Sequence, residues 1–477
     1  MIKGILITGN LLFLIFGFFF FVNEVIPSEN FFISFLATNF LCLVYLGSKE
    51  HYLSAAFGFS FTVAYYVAMC TYFGQYCKTS WYFQSFDYGC DEELNVRSLL
   101  VYVVAHSLYF LLQFLFIKNI KWQWNSDDRK LKVRAYNLAL FFGALGALLF
   151  YLSSYPASTS VAYAGGEAFK PVVPGALLNL LSPMILIIGL VLMAIVDKYD
   201  SKVFKRYRLF GLFLMVYFPL RSGDRSGAVG FFIVWFMLFY QLSPVKRANK
   251  IISMGIAASL FFIVMTLVAS MRAYAYSIGL INALSLGWED LFKASLEESN
   301  GKFSLYIDSS LADAFQQMHW HMINAVKFYD IGLGDNGTSF YNLLPQSVPE
   351  VVADLIGFSR PIGATESLRA LAPHGGGFYI YAQGYFNFGI MGAFFTALVF
   401  GLFIVKCENW FKTHNPIYYG AYFAYLSTMM NGVLYSWQPL IKEMQMLLLL
   451  TYLLYFLYRF KFKFKKVEHY PLIETTN

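Results

Sequence analysis

Apolar residues run through this chain in long unbroken blocks separated by polar stretches, without the alternation of a half-buried strand or the stripe of an amphipathic helix. A helix that crosses a bilayer needs about 20 apolar residues, and about 17 suffice at the short end. Twelve blocks meet that need, at approximately 4–22, 31–48, 52–73, 98–117, 136–154, 175–196, 207–222, 227–243, 251–271, 377–405, 416–434 and 442–459. The seventh and eighth are short, which fits a tilted pair whose tips stop below the outer surface. The 377–405 block is long and opens on Gly375-Gly376-Gly377, which predicts a re-entrant or unwound first part. Lys3 and the apolar stretch after it have the look of a secretory signal. No small-residue cleavage site follows at Asn23-Glu24-Val25-Ile26-Pro27, so the stretch reads as the first span.

Lys and Arg mark the orientation, because cytoplasmic loops retain them. They gather in 118–135, 197–208, 244–250 and the tail after Tyr458, and with twelve spans all of these fall on one side together with both termini. The expectation is an all-α polytopic protein of the bacterial inner membrane. Residues 1–272 hold spans 1–9, 273–376 form one large outer, periplasmic loop, and 377–477 hold spans 10–12 and a basic cytoplasmic tail. The outer loop carries eleven carboxylates against Lys293, Lys302, Lys327, Arg360 and Arg369. Its apolar runs, such as Val351–Phe358, predict short helices packed on the membrane domain.

Composition narrows the class. Charged residues make up 13% of the chain and hydrophobic ones 58%, where globular domains are about 25% charged. The formal net charge of +7 is therefore a matter of loop placement and gives no ground for a nucleic-acid partner. Cys42, Cys70, Cys77, Cys90 and Cys407 make no CxxC pair and no zinc-ligand spacing with histidine, so no metal or other cofactor is expected. Cys77 and Cys90 share a loop placed outside, where oxidation and a disulfide are open to them.

Three arginines stand where spans meet the outer side. Arg221 and Arg225 belong to Arg221-Ser222-Gly223-Asp224-Arg225-Ser226-Gly227, between two apolar stretches, and Arg272 closes Ile251–Met271. A guanidinium costs about 2.5–3.5 kcal/mol at the bilayer centre even on the lenient insertion scales. It also offers a planar fork that meets phosphate oxygens two at a time. On a helical turn Arg221 and Arg225 share a face. The chemistry suggested is an anion arriving within the membrane, and a lipid-linked pyrophosphate fits. The plainer reading is a cationic loop in which Asp224 pairs with one arginine.

A second constellation is His374-Gly375-Gly376-Gly377-Phe378-Tyr379, followed by Tyr385-Phe386-Asn387-Phe388-Gly389-Ile390-Met391-Gly392. A histidine ahead of glycines at a membrane boundary is placed to take a proton from a hydroxyl near neutral pH; otherwise it is a loop histidine beside a hinge. His319 and His321 flank Trp320, which suggests either sugar contacts with Trp320 stacked on a pyranose, or ordinary packing of an amphipathic helix, the reading preferred on residue pattern alone. Arg360, Arg369 and Tyr385 complete the candidates for glycan contact. Asp308, Asp313, Asp335 and Glu366 are alternative bases. His51 and His106 read as structural.

Taken together, the span count, the Arg-Ser-Gly-x-Arg-Ser string, the arginine closing a later span, and the large loop ending in His-Gly-Gly-Gly ahead of Tyr-x-Asn-Phe-Gly-x-x-Gly resemble the O-antigen polymerase (Wzy) family, and more distantly the O-antigen ligases. The resemblance covers about residues 130–460 and implies a GT-C-like membrane glycosyltransferase. It implies a donor glycan on undecaprenyl pyrophosphate held by Arg221 and Arg272, an acceptor repeat unit activated by His374, and no metal. It further implies a chain-length regulator and a flippase as partners. The spacing from His374 to Gly389 is longer than in the ligases. Two other functions stay open: a ligase delivering glycan to lipid A core, and a transporter of lipid-linked oligosaccharide, although transporters of this size tend to show internal repeats and mid-span charges.

Overall fold

The computed structural model describes residues 1–49, 51–74, 83, 88–118, 145, 256, 303–348, 356–359, 361, 363–372, 378–412 and scattered positions between 437 and 456. Among the described residues every regular element is helical and there is no strand. The elements are α1 (Ile2–Val22), α2 (Glu29–Ser48), α3 (Tyr52–Tyr72), α4 (Glu92–Phe116), α5 (Phe303–Asp330), α6 (Thr338–Tyr341), α7 (Leu343–Ser347), α8 (Ala364–Leu371) and α9 (Ile380–Lys412). Among the described residues five helices are long and apolar enough to cross a membrane: α1, α2, α3, α4 and the Ile380–Asn409 part of α9. They coincide with the first four and the tenth of the expected spans. The other expected spans lie outside the described residues, apart from isolated positions.

Helix α4 is the centre of the bundle. Asp91 starts it, its carboxylate accepting the Leu94 N–H at 2.9 Å, and Glu92 and Glu93 add negative charge to the first turn, where the helix dipole favours it. The helix is buried along almost its whole length from Asn95 to Phe114. Helix α1 packs against it antiparallel: Gly17 sits against Val103 and Val104, and the Phe21 ring lies 5.2 Å beneath the Arg97 guanidinium. By contrast α1 and α2 leave many apolar side chains exposed, among them Ile5, Leu12, Phe19, Phe40 and Val44, the surface a lipid-facing helix presents.

Charge divides the two ends of this bundle. Lys3, Lys49, Lys118 and Lys406 lie at the end where α1 begins and α2, α4 and α9 finish. Glu24, Glu29, Asp91, Glu92, Glu93, Asp330 and Asp335 lie at the other, with Arg97 and Lys327 among them. The exception at the lysine end is Glu408. It is fully buried, and its Oε2 accepts the N–H groups of Leu53 (3.1 Å) and Ser54 (3.3 Å) at the start of α3. A carboxylate on the positive end of a helix dipole is stabilised there, and it occupies donors that would otherwise be orphaned. Glu408→Ala is expected to cost about 1–3 kcal/mol by stranding those donors. Glu408→Gln keeps an acceptor and should cost less than half as much, as read from thermal unfolding of the detergent-solubilised chain.

Helix α9 is a hairpin. Phe388 (φ −142°, ψ 21°) and Gly389 (φ 63°, ψ −151°) leave helical geometry, and the chain reverses there. Gly384 and Gly392 bring the two limbs together: a Cβ on Gly392 would fall on the Gly384 carbonyl oxygen. Tyr381 and Phe400 pack on the same Phe61 ring, at 4.9 and 5.9 Å. Along one continuous helix those two residues would stand about 28 Å apart. The first limb therefore starts inside the bundle beside α4 and climbs to the acidic end. The second runs back to the lysine end, where Asn409 accepts the Lys118 N–H. The sequence suggested a re-entrant or unwound first part for this block; the described chain breaks at Phe388 and Gly389, and Gly375–Gly377 lie outside the described residues.

Helix α5 lies across the acidic end. His319 meets α4 at Asn95 (2.9 Å) and Asp330 meets it at Arg97 (3.2 Å). Those contacts are about 16 Å apart along α5 and about 3 Å apart along α4, so the two helices cross steeply. Gly334, Asp335 and α6 follow, tied to the hairpin tip through Asp335 N–H to Phe386 O (3.0 Å). Cys90 is in a disulfide, whereas Cys42, Cys70 and Cys407 are not disulfide-bonded; Cys77, the fifth cysteine, lies outside the described residues.

Candidate functional site

The string Tyr385–Gly392, which carried part of the family resemblance, forms the top of the hairpin, and each polar member has a partner. Tyr385 donates from its hydroxyl to Asp330 Oδ1 (3.2 Å). Asn387 donates to Gln383 O and to Ser339 Oγ, both at 2.8 Å. Gly389 supplies a backbone conformation essentially closed to other residues, with its α-carbon against the Tyr329 ring. The string is a turn-forming device that fastens the hairpin to α5 and α6.

Arg97 anchors the same corner. It reaches Asp330 at 3.2 Å and Glu24 at 3.5 Å, and lies over Phe21. Desolvation raises the Asp330 carboxyl above its ordinary pKa, and Arg97 pulls it back without cancelling the effect. In an Arg97→Gln variant that restraint is gone, so ionised Asp330 is disfavoured further in the folded state. A folded pKa above the unfolded value means stability is lost as pH rises through the folded pKa. The variant should therefore lose more at pH 8 than at pH 5, by about 1–3 kcal/mol, below the figure for fully buried pairs because both side chains are about one quarter exposed. Arg97→Gln combined with Asp330→Asn should recover most of the loss, as followed by thermal unfolding across pH.

Below that corner is a buried cluster of histidines and tyrosines. Asn95, Ser98, Tyr102 and His106 recur at spacings of three and four and form one stripe of α4. His319 of α5 meets the stripe through Nε2 to Asn95 Oδ1 (2.9 Å), and Tyr102 is 6.1 Å from its ring. Tyr379 stacks on Tyr102 at 5.7 Å, and its hydroxyl lies 3.4 Å from His106 Nε2. His321 Nδ1 accepts the Tyr379 N–H at 3.3 Å. Burial holds His319 far below its ordinary pKa, near 3, so its imidazole is neutral and serves as a hydrogen-bonding group rather than an acid. Among the described residues no three His, Cys, Asp or Glu side chains converge on a metal position.

Of the candidates named from sequence, His319, His321, Trp320 and Tyr385 all enter this interior. Trp320 is 1% exposed, with Tyr88 stacked on it at 5.7 Å and Lys327 3.1 Å from the Tyr88 ring centre. Tyr88 takes a face that a pyranose would need, as the packing interpretation of this helix anticipates. Arg369 is exposed on α8. Arg221, Arg225, Arg272, His374 and Arg360 lie outside the described residues. Asp335 binds the Ser339 N–H through its carboxylate at 2.8 Å. The member that sequence reading set aside was His106. Its signal was the stripe Asn95-Ser98-Tyr102-His106, continued by Tyr109 and Gln113, an unusual polar line along an apolar span. Comparison with known protein families, with curated proteins and with solved structures finds no match to this chain.

Proposed function

We propose that this chain is a membrane glycosyltransferase that polymerises undecaprenyl-pyrophosphate-linked oligosaccharide repeat units on the outer face of the inner membrane. The lysine-bearing end of the bundle is assigned to the cytoplasm by the retention of basic residues there, which turns the acidic end, α5 and the hairpin tip outward. Arg221, Arg225 and Arg272 hold the donor pyrophosphate and stabilise its charge as the anomeric carbon–oxygen bond breaks. The glycan passes to a hydroxyl of the incoming repeat unit, whose proton His374 accepts.

The observation that supports this reading most is the re-entrant limb that begins at Ile380. In sequence, His374 precedes Phe378 by four residues, and Phe378 packs against His321 in the buried cluster. A chain that re-enters the membrane directly after a His-Gly-Gly-Gly string suits a catalytic loop meeting a lipid-borne substrate at the bilayer. The disulfide at Cys90, on the acidic side of α4, agrees with an oxidising exterior.

Broken helices are also a device of transporters, so the hairpin lends weight to a lipid-linked oligosaccharide carrier as a second reading. Purified protein in detergent, given lipid-linked repeat units and no gradient, separates the two. Polymerisation predicts a ladder of longer lipid-linked products; unchanged substrate with an active, folded protein would refute it.

A further inference from the structure

Most buried polar side chains described here find partners. Gln113 bonds Ser54 and the Gly401 carbonyl, Tyr109 bonds the Ser54 carbonyl, and Tyr65 bonds the Phe32 carbonyl. The exceptions among the described residues are spread over the bundle, at Asn10, Asn39, Arg97, Ser107, Gln317 and Trp437 among others, but one group of them shares a single cluster: Tyr102 Oη, Tyr381 Oη, His106 Nδ1 and His319 Nδ1 are fully buried and have no hydrogen-bond partner among the described residues. Their rings form a continuous path: His319 to Tyr102 at 6.1 Å, Tyr102 to His106 at 5.3 Å, and His106 to Tyr381 at 5.7 Å. Ser98, on the same stripe of α4, adds another unpartnered hydroxyl.

Native proteins leave few such groups, and each calls for a partner. Inside a bilayer there is no bulk water to supply one. The groups available limit what the partner is. Two phenol hydroxyls donate or accept, and with Nε2 protonated toward Asn95 the His319 Nδ1 can only accept. Phe61 and Tyr65 face His106 from α3, and Phe83 faces His319, all neutral. A charged ligand would find no counter-charge among these side chains. Ring centres 5–6 Å apart put these rings in contact and leave no room for a sugar ring, so only water-sized molecules at the ring edges, beside the polar atoms, come into question.

We infer that His319, Tyr102, His106 and Tyr381 form a binding site for a short chain of internal waters, seated where α4, α5 and the re-entrant limb of α9 meet. Each water takes bonds from two or more of these groups, as buried waters do. The site joins a helix lying across the outward surface to the start of the re-entrant limb, so the limb rests on a hydrated seat rather than a dry apolar one. It needs no assumption about the reaction catalysed.

Phenylalanine substitutions test this, because they remove only the hydroxyls. At a dry site, Tyr102→Phe or Tyr381→Phe deletes an unsatisfied group and leaves thermal stability in detergent unchanged or higher. At a hydrated site each should lower the unfolding midpoint by about 2–4 °C. The double variant should then lose less than the sum, since the two hydroxyls share waters. Unchanged or raised midpoints would overturn the inference. An experimental density map of the unaltered protein gives a check independent of any variant. Density at hydrogen-bond distance from at least two of the four atoms is expected, and a dry cluster would refute the site whatever the variants do.

Discussion

Alanine at Gly389 or Gly392 is expected to cost this protein about 3 kcal/mol or more and to remove most of its folded yield. At Gly389 two penalties combine. The backbone sits at φ 63°, ψ −151°, a region that a Cβ closes, and that Cβ would stand 2.8 Å from the Tyr329 ring. At Gly392 the penalty is contact alone, but with the Gly384 backbone, which has no flexible end to swing aside. The proper control is Gly357→Ala, where φ is also positive (66°) and nothing lies within 4 Å of the added carbon. That variant should lose only about 1 kcal/mol, the strain of a left-handed alanine. Size-exclusion profiles after a heating series measure all three. Gly392→Ala as stable as the unaltered protein would mean that the two limbs do not pack as described.

The second large effect concerns the proposed donor site. Arg272→Ala should lower the rate of polymer formation at least about 100-fold, the usual cost of removing one preorganised charge from a transition state. In cells, long-chain product should vanish while single-repeat product persists. Arg272→Lys keeps the charge but not the planar fork, so it should restore only part of the activity. Normal chain length in the alanine variant would remove Arg272 from the mechanism.

What the sequence made legible follows from which physical signal each feature leaves. Spans 1–4 and the tenth were readable as apolar helices because apolar length acts locally, and the unusual length of the tenth block hinted at the break now seen at Phe388 and Gly389. The stretch read as an outer loop was expected to form short helices; its described part instead includes α5, 28 residues long, whose depth was not readable. Trp320, His319 and His321 look like surface groups in a polar loop, but the partners that bury them, Tyr88, Asn95 and Tyr379, are remote in the chain. Arg97 illustrates the converse. In sequence it stands at one end of an apolar stretch much as Arg272 does, and only its distances to Asp330 and Glu24 mark it as a structural ion pair. His106 was hidden for a simpler reason: a single histidine in an apolar span is ordinarily packing, and the stripe that qualifies it emerges only when read at helical spacing.

The polymerase reading itself is tested most directly by resolving surface polysaccharide and lipid-linked intermediates on a gel, from cells with and without this protein. The account predicts that cells lacking it carry chains of one repeat and no ladder, with the ladder restored by the intact chain. A full ladder in its absence would contradict the account, and so would the loss of every attached chain, which instead marks a ligase.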